Sequence, residues 1–288
     1  MSFRTPFFPS SSASNQGTAC QRENGNDRDA NSSSSPWLAM ARACAALLLS
    51  SAPLVVTHQA LAADTAPATT QHRIRIPPAA HLQFDAKGKI SGFSYSASAQ
   101  LHWQHDGHSY RAEQSIKAPL MGTRSQVSSG HIRAGHLQPL QFTDSARKKR
   151  NLRFDPATGK VTVVASGQTE SVPPDAQDRL SVFFQLAARV AADPGLRVKG
   201  QRIAIWTVAS NKQESWVFEV DGQQSLPLPA GTLPSIKLRR LPRKADDQQA
   251  EIWLAASTGY LPVRILLQDD GDAVDLQMKR YTPTKAQQ

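Results

Sequence analysis

Three histidines and an aspartate crowd one short stretch, His102, His105 and His108 with Asp106. Neutral imidazoles beside a carboxylate are the donor set of a zinc or copper site. On a strand, a step of three residues switches faces, so His102 and His105 converge only if a turn bends them together. The competing reading is a solvated turn rich in polar side chains. The spacing favours that turn, and no metal is expected.

A second constellation is cationic. Arg147-Lys148-Lys149-Arg150 is the densest charge run, and Arg239, Arg240, Arg243 and Lys244 form another late in the chain. Strand alternation puts the charges of the first run on both faces, so that segment cannot lie in a buried sheet centre. It is either a solvated rim whose lysines discourage edge-to-edge pairing, or, with Arg239, Arg240, Arg243 and Lys244, an anion site. Arg147, Lys149, Arg150, Arg239 and Arg240 are therefore the candidate ligand-binding residues. Ser181 stands three residues after Asp178, but no Gly-x-Ser-x-Gly turn and no partner base accompany it. Asp175, Asp178 and Ser181 are better explained as polar groups at a helix N-terminus. No catalytic residue is assigned and no cofactor is expected.

The elements that must position these groups are mostly strands. From Phe93 to Trp103 apolar and polar residues alternate, as in a half-buried strand, and Asp106-Gly107 turns the chain into a second strand through Tyr110, Ala112 and Ile116. Leu140–Ser145, Asn151–Phe154 and Lys160–Ala165 continue the pattern. One helix follows Pro173-Pro174, with Leu180, Phe183, Phe184, Ala187 and Val190 at helical spacing, and ends before Asp193-Pro194-Gly195. Further strands are expected over Arg202–Ala209, Ser215–Val220, Gln224–Leu228, Ser235–Leu241, Glu251–Ala256, Leu261–Gln268 and Ala273–Tyr281. Asp221-Gly222 is among the turns between them. Trp103, Trp206, Trp216 and Trp253 fall within apolar strand patterns and suit a core or the lining of a trough.

These elements predict a mainly β fold, a strongly curved antiparallel sheet or half-barrel of about ten strands with one main α-helix. Strands about 4.8 Å apart make a sheet far wider than a helix of about 10 Å diameter can cover, so the apolar face must curl on itself. A filled barrel and an open hydrophobic trough both satisfy that need.

Upstream, Met40-Ala41-Arg42, the apolar stretch Ala43 to Val56 and the small-x-small triplet Ala60-Leu61-Ala62 form a signal peptide, with cleavage expected between Ala62 and Ala63. Pro53, His58 and Gln59 interrupt the stretch before the roughly 20 apolar residues a membrane span needs. Cys44 lies at its start, which does not suit lipid attachment at the cleavage point. The expected organisation is residues 1–39 disordered and either untranslated or not retained, with Met40 as the start. A signal peptide at 40–62, a linker at 63–80, a single β-rich domain at 81–283 and a tail at 284–288 follow.

Export has chemical consequences. Cys20 and Cys44 are the only cysteines, and both precede the cleavage point, so the mature chain is expected to lack disulfides, thiolate catalysis and cysteine metal sites. Losing four Lys/Arg and three Asp/Glu with the leader lowers the formal charge only from +10 to +9. In a periplasmic protein that excess points to anionic lipid headgroups or glycans of the envelope rather than to nucleic acid.

With the strands placed, Ile252-Trp253-Leu254-Ala255 and Tyr260-Leu261-Pro262-Val263-Arg264-Ile265 resemble the C-terminal hairpin of the exported proteins grouped as domain of unknown function 3108. Asp178-Arg179-Leu180-Ser181, Trp216-Val217-Phe218-Glu219-Val220-Asp221-Gly222 and Leu238-Arg239-Arg240 are similar to that family's layout. The resemblance covers about residues 85 to 281 and implies an exported β-rich fold, with no catalytic residues to carry over. A curved sheet with a helix is also similar to the lipoprotein-carrier fold class, which binds acyl chains in its concavity, although fold does not imply function. The leading expectation is an exported periplasmic envelope protein that binds an apolar or amphipathic anionic ligand without catalysis. The alternatives are an envelope glycan or lipid hydrolase and a structural adaptor for another envelope protein.

Overall fold

A computed structural model describes residues 73–285, apart from Ser91, Leu120, Met121, Arg147, Ser210, Asn211, Ala245 and Asp246. The signal segment, both cysteines and the cleavage point at Ala62 and Ala63 lie outside the described residues. The alternation that begins at Phe93 becomes β2 (Phe93–His105), preceded by β1 (Ala80–Ile90). The chain then meanders through β3 (Ser109–Ala118), β4 (Gly122–Arg133), β5 (His136–Ser145), β6 (Lys149–Asp155), β7 (Lys160–Val163) and β8 (Thr169–Ser171). A two-residue strand β9 (Gln177–Asp178) leads into α1 (Ser181–Ala192). The second meander is β10 (Arg202–Ala209), β11 (Lys212–Leu228), β12 (Gly231–Arg240), β13 (Gln249–Ala255), β14 (Pro262–Asp269) and β15 (Asp272–Pro283).

All of these strands form one sheet, running from β8 back to β1, across to β15, and down to β10 and β9. Every pairing is antiparallel except the short contact of β9 with β10. The expected fold class holds, with about fifteen strands among the described residues rather than ten. Strands β1, β4, β8 and β9 are added to those expected, whereas two expected strands merge into β11. The polar segment Gly122–Arg133 is a strand, and Asp221-Gly222 is a bulge inside the 17-residue β11 rather than a turn between two strands. Bulges bend and twist a ladder without ending it. Another bulge, between Ser129 and Gly130, explains a glycine, since a Cβ on Gly130 would lie 2.1 Å from the Gln138 carbonyl oxygen.

Curvature brings the two ends of the sheet around α1. Residues Ser181 to Ala191 are buried all round, the pattern of a helix enclosed by its own fold. Phe184 stacks on Trp103 of β2 with ring centres 4.3 Å apart. On another side Gln185 Oε1 accepts the Leu137 N–H of β5 at 2.7 Å, and Arg189 donates to the Ala204 carbonyl of β10 at 2.9 Å. The end strands have no mutual ladder. Instead Gln213 Nε2 donates to Glu170 Oε2 and to the Ser171 carbonyl, while Gln177 Nε2 donates to the Leu137 carbonyl.

Residues 73–79, at the end of the stretch expected as a linker, run extended against this barrel. The Arg75 N–H donates to the Ala188 carbonyl, and the Pro77 carbonyl accepts from Trp103 Nε1 at 3.0 Å. No helix among the described residues is long and apolar enough to cross a membrane.

Candidate functional site

Most inward-facing residues are apolar, as the sheet's alternation requires, but β4 breaks the rule. Its inner face carries Arg124, Gln126 and Ser128 in steps of two, all buried. Register extends the polarity sideways. Gln126 lies opposite Gln114 of β3 and Asp144 of β5, and Asp144 lies opposite Arg150 of β6. Gln114, Gln126 and Asp144 are buried while Arg150 is exposed, so this row runs from the core to solvent. Arg124 grips Asp144 through two parallel bonds, Nε to Oδ1 at 2.9 Å and Nη2 to Oδ2. Such two-point geometry is the strongest form of guanidinium–carboxylate pairing.

A second cluster lies on the β11–β12 side. The Arg240 guanidinium contacts Glu214 at 3.2 Å and Asp247 at 3.3 Å, and Arg243 and Lys212 join the same two carboxylates. Burial pushes the Glu214 carboxyl up, but the Trp216 indole N–H, Lys212 and Arg240 together hold it below the ordinary glutamate range. Asp247 is likewise low: burial raises it, and the Arg243 N–H with Arg240, Arg243 and Lys212 outweighs that.

Arg179 stands between the two clusters, at the junction of β9 and α1. Its guanidinium donates to Gln248 Oε1 at 2.6 Å and lies 5.5 Å from the centre of the Trp216 ring, which Arg240 also covers at 4.6 Å. Burial above all, helped by the positive charge of Arg124, pulls it down to about 10. The neighbouring Asp178 anchors the same junction. Its Oδ1 accepts the Leu180 and Ser181 N–H groups, each at 2.8 Å, and its Oδ2 accepts the Ser128 hydroxyl at 2.6 Å. Ser181 Oγ in turn accepts the Asp178 N–H at 2.9 Å, so the two residues reciprocally close the turn that leads into α1. Burial raises the Asp178 carboxyl despite these donors.

The cationic candidates separate in space. Arg147 lies outside the described residues. Lys149 and Arg150 are exposed at the start of β6. Arg239 faces outward to Glu219 and Asp221, whereas its neighbour Arg240 points into the core, because adjacent residues on a strand take opposite faces. One anion site containing both side chains is therefore not assembled. The histidines also diverge. His102 stacks on His81 of β1 with ring centres 3.9 Å apart, His105 Nε2 lies 3.1 Å from the Pro77 carbonyl, and His108 sits in the turn held by Asp106. Among the described residues no three His, Cys, Asp or Glu gather as a metal-binding group.

Arg124 and Gln126 escaped the sequence reading because a polar inner face looks like a loop, and Asp144, although on an expected strand, carries no local sign of its partner. The available signal was the period-two spacing of Arg124, Gln126 and Ser128.

Comparison with known proteins places this geometry. No curated protein matches the sequence. A β-barrel-like protein of domain of unknown function DUF1849 from Brucella abortus has a similar fold at TM-score 0.50 and 9% identity, over 74% of this chain and 100% of that one. A candidate lipoprotein from Parabacteroides distasonis gives TM-score 0.33 at 10% identity, over 73% of this chain and 99% of its own. A candidate exported protein with a YmcC-like fold from Bacteroides fragilis gives 0.34 at 10% identity, over 74% and 99%. The profile of the family described as "Protein of unknown function (DUF3108)" matches residues 83–279, most of the chain, and the protein belongs to that family.

Proposed function

We propose that the protein is an exported envelope protein that binds an amphipathic anionic ligand without transforming it, the acidic end directed toward Arg179 and the apolar part toward the inner sheet face. The observation that carries this reading is the buried Arg179, set between two charged clusters in a mostly apolar interior. Burying charge costs several kcal/mol per ion, and packed apolar side chains commonly serve stability better. Ionisable groups retained at such cost are candidates for function. Asp144, Glu214 and Asp247 are all engaged by cations, which favours a binding role over a hydrolase needing a carboxylate ready to take or give a proton.

The test is native mass spectrometry of the mature protein purified from the periplasm, followed by extraction of bound lipid. A stoichiometric anionic amphiphile is expected, and Arg179→Met should lose it while remaining folded. Protein that emerges without ligand and shows no change in melting temperature with dodecanoate would overturn the proposal.

A further inference from the structure

Gln126 is 2% exposed, and neither its amide nitrogen nor its amide oxygen has a hydrogen-bond partner. Buried polar groups in folded proteins are nearly always satisfied, so an orphaned carboxamide calls for a missing water or ligand. Its wall neighbours do not fill the need. Gln114 and Asp144 stand directly opposite on either side, and Asp144 is committed to Arg124.

We infer that Gln126 reads neighbouring hydroxyl groups of the ligand, so that the amphiphile carries a glycosyl or glyceryl head. This rests on the proposed binding function and adds the chemistry of the head. A carboxamide offers acceptor and donors side by side. Two adjacent hydroxyls complement that pair, one donating to Oε1 and the other accepting from Nε2. A bare carboxylate or phosphate oxygen cannot donate to Oε1, whereas a hydroxyl can donate there and accept from Nε2. Register sets Gln126 beside Asp144, and Asp144 beside the exposed Arg150, so the wall around the carboxamide is polar up to the exposed start of β6.

The experiment titrates the mature protein and Gln126→Leu with dodecyl maltoside below its micelle concentration, with dodecanoate and with free maltose. Dodecyl maltoside should bind the wild type and bind Gln126→Leu about tenfold more weakly, the loss of two net hydrogen bonds, while dodecanoate binds both alike. Free maltose that binds as tightly as the maltoside, with the same loss in Gln126→Leu, supports the site and identifies a free glycan as the source. Equal maltoside affinity in both proteins, with Gln126→Leu melting higher, overturns the inference and leaves a buried water as the partner of Gln126. Dodecanoyl glycinamide bound more tightly than the maltoside, and lost in Gln126→Leu, also overturns it by assigning an amide ligand. Dodecanoate binding without maltoside binding removes the hydroxyl site alone, whereas binding of none of these probes removes the proposed function as well. If Gln126→Leu does not fold, Gln126→Asn, which withdraws the amide by one methylene, takes its place.

Discussion

Arg124 and Asp144 form a two-bond ion pair across neighbouring strands inside the barrel, with side-chain exposures of only 7% and 10%. Removing one member strands the other charge in the core. Arg124→Met is expected to destabilise the fold by about 3–5 kcal/mol, whereas Arg124→Met with Asp144→Leu should recover most of that loss. Urea unfolding of the two single variants and the double variant measures the coupling. A double variant as unstable as the worse single variant would show that the pair is not an isolated unit.

Reciprocal hydrogen bonds between Asp178 and Ser181 close the turn through which the chain enters α1. Asp178→Ala leaves the Leu180 and Ser181 N–H groups and the Ser128 hydroxyl without this acceptor. The expected cost is about 1–3 kcal/mol, from buried donors left unsatisfied. Asp178→Asn keeps one acceptor oxygen and should cost less. Because burial raises the Asp178 carboxyl, the folded state holds its proton above the ordinary aspartate value. The Asp178 contribution to stability should then decline as pH rises from that value through the folded one, and Asp178→Asn should flatten this part of the pH profile.

The sequence revealed most strands whose inner face is apolar: β2 and β3 alternate cleanly, and α1 shows its helical spacing. It did not reveal β1, although Ala80, Leu82, Phe84 and Ala86 line the inner face of that strand. It concealed β4 for the same physical reason that makes β4 interesting: Arg124, Gln126 and Ser128 occupy positions that the pattern reserves for apolar residues. Periodicity identifies a strand by what it buries, so a strand that buries polar groups is read as a loop. The cationic residues diverge for a different reason. Arg239 and Arg240 look like one patch in the chain, and only the direction of β12 separates them. Arg179 and Glu214 meet through tertiary folding, across 35 residues of sequence that no local pattern spans.

Two imidazoles should make stability fall in mild acid. Burial lowers the His81 pKa, with His102 adding to the effect, and burial also lowers that of His136. A histidine whose folded pKa is depressed binds its proton more readily in the unfolded chain. Its contribution is therefore present above the ordinary value of about 6.5 and is lost as pH falls from there through the folded value. Melting temperatures between pH 7.5 and pH 5, about a unit or more on either side of that value, should decline in the wild type. The decline should be shallower in His81→Gln with His136→Gln. A decline of unchanged slope in that double variant would assign it to other groups.

Arg239 and Arg240 offer a comparison in which chemistry and sequence position are almost constant and only the face differs. The Arg239 side chain is half exposed and pairs with Glu219 and Asp221 on the outer surface, where water and salt screen the interaction. Arg239→Met should barely move the thermal midpoint, and what shift it causes should vanish in high salt. The Arg240 side chain is 2% exposed and holds Glu214 and Asp247, whose own exposures are 4% and 2%. Arg240→Met leaves Arg243 and Lys212 as the remaining cations for two buried carboxylates, and should cost about 3–5 kcal/mol with little dependence on salt. Thermal melts of both variants at low and high ionic strength separate the two faces. Equal losses at both positions would mean that the inward direction of Arg240 carries no energetic weight, and the charged interior invoked for the proposed ligand binding would lose its foundation.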